Sequence, residues 1–593
     1  MRAVQTNLRS FIAESQFFKI PDFQRPYAWK PMQGLAFWES IHDTVSNSKR
    51  HYFGSIVFFQ DDINRVVIDG QQRLTTTLLF ITACYHALLD DSRKSWEYTA
   101  EELGKTFLYN EDDGELKVIL RGATSDRETF DRILRRKTVP VDEQSKLFDM
   151  YTFFVGKISN LDKIDPYLDV LERIDMISIL LTPEDDNPQV VFENINATGE
   201  PLTDGDKIRN FALMLNSEEA RNVVYHDYWL KIEKSLTRSG EFVGVGAQLI
   251  TAFFRVFLTI KHNDKVINEK NTYEKFKEYY SSVTPDQSLE QLHAVWSDIT
   301  SILEDYIYLL WKDDITKNKM LSVFDEDIQG NSESSMHSVV VSHLSFFIQL
   351  LEYYKQGELT RNDFRNVLTV VGKQQRRDEI GGTGGFKLIN STANAAYKCY
   401  KDYEMSSFYD AYLWYMEGAG DPSKSRNVTD ERIEFAITNE DISDSKARVL
   451  LCELDIAHDE NTRSLHQKVA HVMPKAIYGF RLDDAWKEEL GEDWETINQR
   501  FYGKLANIAI VGYPPTPNKN LTFSGNLNKR DGIGGAENYT TKWIADNCES
   551  WNLVSLEART KWLRSEIVKL YEIPRAMISP RIREKYGNHS EYN

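Results

Sequence analysis

Two short runs of β-branched and aromatic residues, at positions 56–59 and 66–68, flank a polar segment at 61–64, and this pattern is typical of a β-hairpin. A turn at residues 69–70 follows. The next stretch, residues 74–89, has the length and apolar content of a buried helix. The pattern therefore predicts a strand, a tight turn and a helix in immediate succession.

The turn has the polar sequence Asp69-Gly70-Gln71-Gln72-Arg73. It brings Gln71, Gln72 and Arg73 to a helix N-terminus, where backbone N–H groups and the positive end of the helix dipole attract anions. Arg73 adds a planar fork that can bind a phosphate through two hydrogen bonds. The alternative needs no ligand, because Asp69 could cap the helix and pair with Arg73. Local chemistry supports an anion site and a simple cap equally.

The residues before the hairpin predict an extended segment followed by a helix. Pro21, Pro26 and Pro31 count against any long helix before residue 31. The inner face of the following helix is predicted to contain Leu35, Trp38, Ile41 or His42, and Val45. The opening region is therefore α/β.

Residues 176–181 form a further β-rich run, and residues 190–210 predict a turn that leads into a helix at 202–206. Asp206 and Arg209 lie three apart on one face of that helix, so an ion pair alone would also explain them.

Residues 215–430 are mostly helical. The stretch 374–385 ends in a glycine-rich sequence, but no strand ending in GK[ST] accompanies it, and a flexible linker is the favoured interpretation over a phosphate loop.

The chain has 593 residues, of which 41% are hydrophobic, and this length favours several domains at about 150 residues each. Four scattered cysteines without a CxxC pair indicate neither a disulfide framework nor a thiolate zinc site, so a reducing cytoplasm fits best. The N-terminus lacks the apolar core of a signal peptide, and residues 249–260 are too short to cross a bilayer. A net charge of −19 argues against indiscriminate coating of nucleic acid, although a local basic surface could still bind DNA.

The last part of the chain contains a candidate catalytic histidine. His471 lies in a short apolar run that Pro474 closes, and Asn507, Asn518 and Asn520 follow it. A lone histidine is more often structural than catalytic, so this series is a weak signal by itself.

Taken in order, these stretches resemble one family, the GmrSD-type modification-dependent (type IV) restriction endonucleases, with both halves fused in a single chain. In the first half the resemblance rests on residues 23–29 (FQRPYAW), on the DGQQR core with residues 74–76, and on residues 192–210. In the second half the chain is similar to the family's HNH nuclease domain at residues 471–474, 505–508, 518–529 and 557–563.

The resemblance implies an α+β multidomain fold. Residues 1–215 would form a ParB/sulfiredoxin-like domain that binds and hydrolyses a nucleoside triphosphate, residues 216–428 a helical connecting domain, and residues 429–593 a ββα-metal, HNH-like nuclease. The implied nucleotide-site residues are Arg25, Asp69, Gly70, Gln71, Gln72, Arg73, Asn196 and Arg209. In the nuclease, His471 would be the general base, Asn507, Asn518 and Asn520 would hold or orient the metal site, and Asn507 and Asn518 would be ligands.

These roles suit the chemistry of phosphodiester hydrolysis. An imidazole that titrates near neutral pH can take a proton from water, and oxygen ligands favour Mg²⁺. The chain departs from the family's motifs at positions that bear on these residue roles. Ala470 stands where relatives carry an acid or a histidine, for which His466 or Asn507 could compensate. Ala506 replaces a glycine, and Arg209 replaces a lysine.

The predicted function is a nucleotide-regulated, Mg²⁺-dependent endonuclease, with NTPase activity, that cleaves modified double-stranded phage DNA in bacterial defence. The predicted location is the cytoplasm, with no membrane partner and with a homodimer left open. The alternative is a nucleotide-responsive DNA-binding regulator whose nuclease domain is impaired, for which Ala470 is the sequence support. A phosphotransfer enzyme that uses the glycines at 381–385 has only glycine content behind it.

Overall fold

The structure is a computed structural model, and it describes most of the chain. The described residues are 1–14, 17–21, 24, 27–47, 50–61, 64–109, 116–120, 124–140, 145–182, 191, 202–214, 217–236, 246–262, 267–311, 324, 335–382, 389–390, 392–459, 468–475, 482–511, 523, 533 and 538–582. They fall into two compact units, the first comprising Met1–Leu258 with Ile267–Leu303 and the second comprising Thr259–Val266 with Glu304–Asn593.

The fold is α+β and mostly helical, with a small mixed sheet, as the sequence predicts. The strands are β1 (Arg2–Asn7), β2 (Phe17–Ile20), β3 (His51–Asp61), β4 (Asn64–Asp69), β5 (Val118–Leu120), β6 (Ile174–Leu181), β7 (Lys468–His471) and β8 (Ile508–Val511).

The helices up to the boundary between the units are α1 (Leu8–Ala13), α2 (Pro31–Asn47), α3 (Gln71–Asp90), α4 (Ala100–Phe107), α5 (Thr124–Leu134), α6 (Lys146–Ser159), α7 (Asp165–Asp169), α8 (Asp204–Leu213), α9 (Glu218–Val223), α10 (Leu230–Leu236), α11 (Gly246–Lys261), α12 (Thr272–Val283) and α13 (Leu289–Trp311).

The later helices are α14 (Ser335–Ser342), α15 (Leu344–Lys355), α16 (Arg361–Gly381), α17 (Ala393–Asp402), α18 (Phe408–Met416), α19 (Asp430–Asn439), α20 (Asp444–His458), α21 (Asp484–Leu490), α22 (Trp494–Phe501), α23 (Tyr539–Asn547) and α24 (Leu553–Leu570). Among the helices described, none combines the length and the apolar content that a membrane span requires.

The first unit is built on a six-stranded sheet in the order β1-β6-β3-β4-β2-β5. The predicted hairpin is confirmed, because β3 and β4 pair antiparallel with Asp61 opposite Asn64. The β-rich run at 176–181 is also confirmed as part of β6, which pairs parallel to β3 and antiparallel to β1. β2 lies parallel to both β4 and β5, so the sheet is mixed.

Helices α2, α3 and α6 pack together through a cluster of phenylalanines. The ring centroids of Phe37 and Phe80 are 6.1 Å apart, and Phe154 lies 5.9 Å from Phe37 and 5.7 Å from Phe80. The predicted inner face of α2 is wrong at Leu35, which is 37% exposed, whereas Phe37 is buried. The buried face of α2 differs from the predicted one because Phe37 packs into this aromatic cluster. Burying a large aromatic ring stabilises the fold more than burying the Leu35 side chain would.

The second unit contains a two-stranded antiparallel sheet, β7 with β8, in which His471 pairs with Ile508. The linker interpretation of residues 374–385 is wrong for its first part, because these residues complete α16 and Gly382 ends the helix with a left-handed φ of 66°. Arg377 is buried there and donates to the carbonyl oxygens of Val428 and Tyr571. The run of polar residues therefore joins α16 to the rest of the unit.

Candidate functional site

The DGQQR turn starts helix α3 without a side-chain cap. Gly70 is the N-cap residue with a φ of 91°, no side-chain hydrogen bond closes the helix start, and the first turn contains no acidic residue. The cap interpretation of Asp69 is therefore wrong, although its carboxylate does lie 3.8 Å from Nη2 of Arg73. The helix begins at Gln71 instead of residue 74, so Gln71, Gln72 and Arg73 form its first turn, as predicted.

Other helices of the chain show what a capped start looks like. Helices α4, α8 and α16 each begin with a capping box, in which a threonine and an acidic residue three positions later satisfy each other's backbone N–H. In α8 the acidic partner is Asp206, and the ion pair that Arg209 makes is with Glu233. Against this background the start of α3 is electropositive, since it carries an arginine in place of an acid.

Two glycines permit the close packing between this turn and strand β3. Nη1 of Arg73 donates a hydrogen bond to the carbonyl oxygen of Ser55 in β3. A Cβ on Gly54, whose φ is 103°, would lie 2.8 Å from that nitrogen. A Cβ on Gly70 would lie 2.8 Å from Cγ1 of Ile56. Since both glycines also have positive φ, no other residue type fits without strain.

Residues of the FQRPYAW segment form hydrogen bonds with the same helix start. The Gln24 side chain donates to the carbonyl oxygen of Ile68 at 2.7 Å. Oε1 of Gln72 accepts from the backbone N–H groups of Ala28 at 2.8 Å and Trp29 at 3.3 Å. Two stretches that lie forty residues apart in the sequence therefore form one structure, as the resemblance implies.

The same assembly includes Tyr27, whose hydroxyl lies 2.5 Å from Oγ1 of Thr76 in the second turn of α3. The backbone N–H of Tyr27 donates to Oδ2 of Asp126 at 2.7 Å. Asp126 is only 8% exposed, and burial raises its pKa to about 6, against the opposing effect of the Tyr27 N–H and of the charges on Lys146 and Arg209. An acid with a raised pKa beside two cations is typical of a functional site.

Arg209 lies in the buried part of this region. Its side chain is 3% exposed, and Nη1 is 3.2 Å from Oε1 of Glu233, which also accepts from the indole of Trp229 at 2.8 Å. The guanidinium lies 5.9 Å from the ring centroid of Tyr225. The structure therefore brings Arg209, Asp126, Tyr27 and the DGQQR helix start into one unit. Arg25 and Asn196 lie outside the described residues.

The burial of Asp126 predicts a stability effect that depends on pH. Because the folded-state pKa is raised, the folded protein binds the proton more tightly than the unfolded chain, so this group lowers the free energy of unfolding as pH rises from about 4 to about 6. A shift of about two pKa units corresponds to roughly 3 kcal/mol as an upper value. We expect Asp126→Asn, which keeps an acceptor for Tyr27, to raise the free energy of unfolding at pH 8 by about 1–3 kcal/mol.

Urea denaturation at pH 8 and at pH 4 checks this prediction. Most of the gain should disappear at pH 4, because the carboxyl group is then neutral in the folded protein and partly protonated in the unfolded chain. Asp162→Asn is the matched control, because Asp162 is exposed in the same unit. If Asp126→Asn were less stable than the parent at pH 8, the interactions of the Asp126 carboxylate with Tyr27, Lys146 and Arg209 would contribute more free energy than burial of its charge costs.

The candidate nuclease residue His471 ends strand β7. Its Nε2 lies 3.0 Å from Oδ1 of Asp444, the first residue of α20, and its Nδ1 lies 3.2 Å from the carbonyl oxygen of Tyr502. The imidazole stacks on the Tyr502 ring with centroids 4.6 Å apart. A carbonyl oxygen only accepts hydrogen bonds, so Nδ1 is the nitrogen that donates to Tyr502, and Nε2 faces the Asp444 carboxylate.

Asn507 holds the backbone behind His471. Its side chain is fully buried, and Oδ1 accepts from the N–H of Met473 at 2.8 Å and from the indole of Trp551 at 3.2 Å. Its Nδ2 donates to the carbonyl oxygens of Met473 at 3.0 Å and Tyr502 at 3.2 Å. Both amide atoms are thus bonded to groups of Met473, Tyr502 and Trp551, and Tyr502 is the residue that stacks on the His471 ring. A metal bond to Asn507 would require Oδ1 to give up its contacts with Met473 and Trp551.

Arg559 supports the same strand pair from α24. It is fully buried, and Nη2 donates to the carbonyl oxygen of Ile508 at 2.7 Å. Burial lowers its pKa to about 9. Its guanidinium carbon lies 5.8 Å from the ring centroid of Trp551, the residue that bonds Asn507. Ala470 is buried in β7, and Asn518 and Asn520 lie outside the described residues, as does His466.

Metal-binding groups are sparse around His471. In the part of the chain that the structure describes, no three histidine, cysteine or acidic residues cluster closely enough to hold a metal ion. The Asp444 carboxylate, which lies beside the imidazole, is a hard ligand of the kind that Mg²⁺ prefers. All four cysteines are free thiols.

Several residues of these sites escaped the sequence interpretation. Asp126, Glu233 and Asp444 are acids separated from their partners by tens to a hundred residues, and no local pattern marks them. Tyr27 belongs to the FQRPYAW stretch, so its place in a quoted motif was a usable signal. Asp444 follows Ser443, a helix N-cap, and acids at that position are ordinary.

Comparison with known proteins gives one family match. Residues 7–213 match the model of the GmrSD restriction endonuclease, N-terminal domain. These bounds contain the FQRPYAW and DGQQR stretches and reach the last residue of α8. The comparison with curated proteins gave no match. For this part of the chain the match supports a GmrSD-type region and a restriction endonuclease role.

Proposed function

We propose that the protein is a nucleotide-regulated, Mg²⁺-dependent endonuclease that cleaves modified foreign DNA. The observation that carries the proposal is the uncapped, electropositive start of α3. The FQRPYAW segment is bonded directly to it, within a region that matches the GmrSD N-terminal domain.

In the nucleotide site, the backbone at Gln71 and Gln72 and the guanidinium of Arg73 bind the phosphates of a nucleoside triphosphate. Gln72 also accepts hydrogen bonds from the backbone N–H groups of Ala28 and Trp29. Arg25 is a further candidate for this site on the resemblance alone. Asp126 and Arg209 supply a buried acid and a buried cation next to it. This arrangement lets nucleotide binding change the packing of Tyr27 against α3.

In the nuclease domain, His471 acts as the general base that takes a proton from water. The Tyr502 carbonyl keeps the proton on Nδ1, so Nε2 is the nitrogen that accepts. The Asp444 carboxylate then stabilises the imidazolium that forms, and its 66% exposed side chain can move away to admit water. Asp444 would thereby supply, from another helix, the acid that Ala470 lacks.

When bound, Mg²⁺ neutralises charge on the phosphate and on the leaving oxygen. Asp444 is its candidate protein ligand among the described residues, and Asn518 and Asn520 are the further candidates that the resemblance suggests. Asn507 positions the backbone next to His471, because its Oδ1 and Nδ2 both hydrogen-bond to Met473.

Cleavage of matched plasmid or phage DNA tests the proposal. The substrates carry hydroxymethylated, glucosylated or phosphorothioate modification or none, and each nucleotide is supplied in turn with Mg²⁺. We expect cleavage that requires one class of modification, Mg²⁺ and a triphosphate. Cleavage that is equal on unmodified DNA would refute the modification dependence, and cleavage without nucleotide would refute the regulation.

A second candidate is a nucleotide-responsive DNA-binding regulator with an impaired nuclease domain. Ala470 and the fully committed amide of Asn507 favour it, because both remove metal ligands from the vicinity of His471. The same plasmid assay separates the two functions. DNA binding that responds to nucleotide, without cleavage under any metal, would select the regulator.

A further inference from the structure

A cavity of about 470 Å³ lies in the second unit, beside the end of α16 and the start of α20. Its volume falls within the range of small-molecule sites, which is roughly 300–1,000 Å³. Much of its lining is apolar, and the side chains that provide it include Ile380, Ala436, Ile437, Ile442, Leu450 and Leu505. A pocket of this size and lining suits the apolar body of a small organic molecule.

The charged side chains that line the cavity are mostly paired with each other or with neighbours. Arg376 pairs with Glu379 at 2.8 Å and also with Glu453. Glu440 pairs with Arg432 at 2.7 Å, and Asp441 pairs with Lys504 at 2.7 Å. Because each of these carboxylates is already in an ion pair, the cavity lining does not favour a cationic ligand.

Lys446 is the exception among the described lining residues. Its ammonium donates to the neutral carbonyl oxygen of Glu379 at 3.2 Å and makes no ion pair within the described part of the chain. A positive charge beside an apolar pocket attracts a ligand that carries one negative group.

We propose that this cavity binds a small amphipathic anion, with its apolar body in the pocket and a carboxylate or phosphate on Lys446. The shared chemistry is an apolar body with one anionic head group, and aliphatic carboxylates and aromatic phosphates both have it. Neither the DGQQR motif nor the family match reaches these residues.

Occupancy of the cavity bears on the candidate base, and this step rests on the proposed role of His471. Ser445 and Lys446, which line the cavity, directly follow Asp444, the partner of His471 Nε2. On the other side, the N–H of Ile442 donates to the carbonyl oxygen of Gly503 at 2.9 Å, next to Tyr502, which holds His471 Nδ1. A ligand that shifts residues 440–446 therefore changes the position of Asp444 relative to the imidazole.

Isothermal titration of the full chain with decanoate and with naphthyl phosphate tests the site. We expect saturable one-to-one binding of at least one probe, at least tenfold weaker in Lys446→Glu, and lost in Val449→Trp, which fills the pocket from a side chain that is 37% exposed. Lys561→Glu, an exposed lysine on α24 in the same unit, is the matched control and should bind as the parent does. No saturable binding of either probe, or equal binding in Lys446→Glu, would overturn the site.

The titration needs no nuclease activity, so an inactive protein would leave its result valid. The coupling is read separately, as the cleavage rate with and without the bound probe. We expect the probe to change that rate in the parent chain and to leave it unchanged in Val449→Trp. A probe that binds without altering the rate would overturn the coupling to His471 and leave the site standing.

Discussion

Replacing His471 by alanine is expected to lower the rate of metal-dependent DNA cleavage by roughly 10²–10⁴-fold, the usual contribution of a positioned general base. The imidazole is held on three sides, by the Tyr502 carbonyl, the Tyr502 ring and Asp444. A base held in this way is oriented before substrate arrives, so its loss removes both the proton acceptor and its placement.

The variant should leave nucleotide binding intact, because His471 and the DGQQR turn belong to different units. Single-turnover cleavage of modified plasmid and triphosphate binding by titration are the two measurements. His458→Ala is the matched control, since His458 is exposed in the same unit and stacks on Tyr539 with centroids 3.8 Å apart. Undiminished nicking by His471→Ala would eliminate His471 as the base.

Asn507 shows which features of the second half can be predicted from the sequence. The resemblance implied that Asn507 would either bind the metal or orient its site, and the sequence alone could not separate these two roles. That separation depends on Met473 and Trp551, which contact Asn507 from an earlier and a later part of the chain. Asp444 was missed for the same reason, since only the packing of α20 beside β7 brings its carboxylate to the imidazole.

The first half was more predictable because its signals are local. The hairpin, the turn and the helix are neighbours in the sequence, and alternation and length suffice to predict them. The cap at Asp69 was wrong because the left-handed backbone of Gly70 makes the glycine itself the N-cap residue. Asp126 could not be found, because the contact between its carboxylate and the Tyr27 N–H joins residues 99 apart.

Replacing Arg73 by alanine is expected to raise the dissociation constant for a nucleoside triphosphate by roughly 10–100-fold, because a hydrogen bond to a charged group contributes about 1.5–3 kcal/mol. The first turn of α3 has no acidic residue, and no side chain caps the helix, so a bound phosphate would meet backbone N–H groups and the Arg73 guanidinium. Asp69→Ala is expected to weaken binding as well, because the Asp69 carboxylate lies 3.8 Å from the Arg73 guanidinium and helps to place it.

The control must separate phosphate binding from the structural contact of Arg73 with Ser55. Arg73→Lys keeps the charge but loses the two-pronged fork, so its affinity should fall between those of the parent and Arg73→Ala. Arg50→Ala, which breaks an exposed pair with Asp175 in the same unit, should bind nucleotide as the parent does. If Arg73→Ala and Asp69→Ala both keep the parent's affinity and hydrolysis rate, the arginine serves only to tie α3 to β3. The space at Gly54, where a Cβ would meet the Arg73 guanidinium, would then be explained by that contact alone.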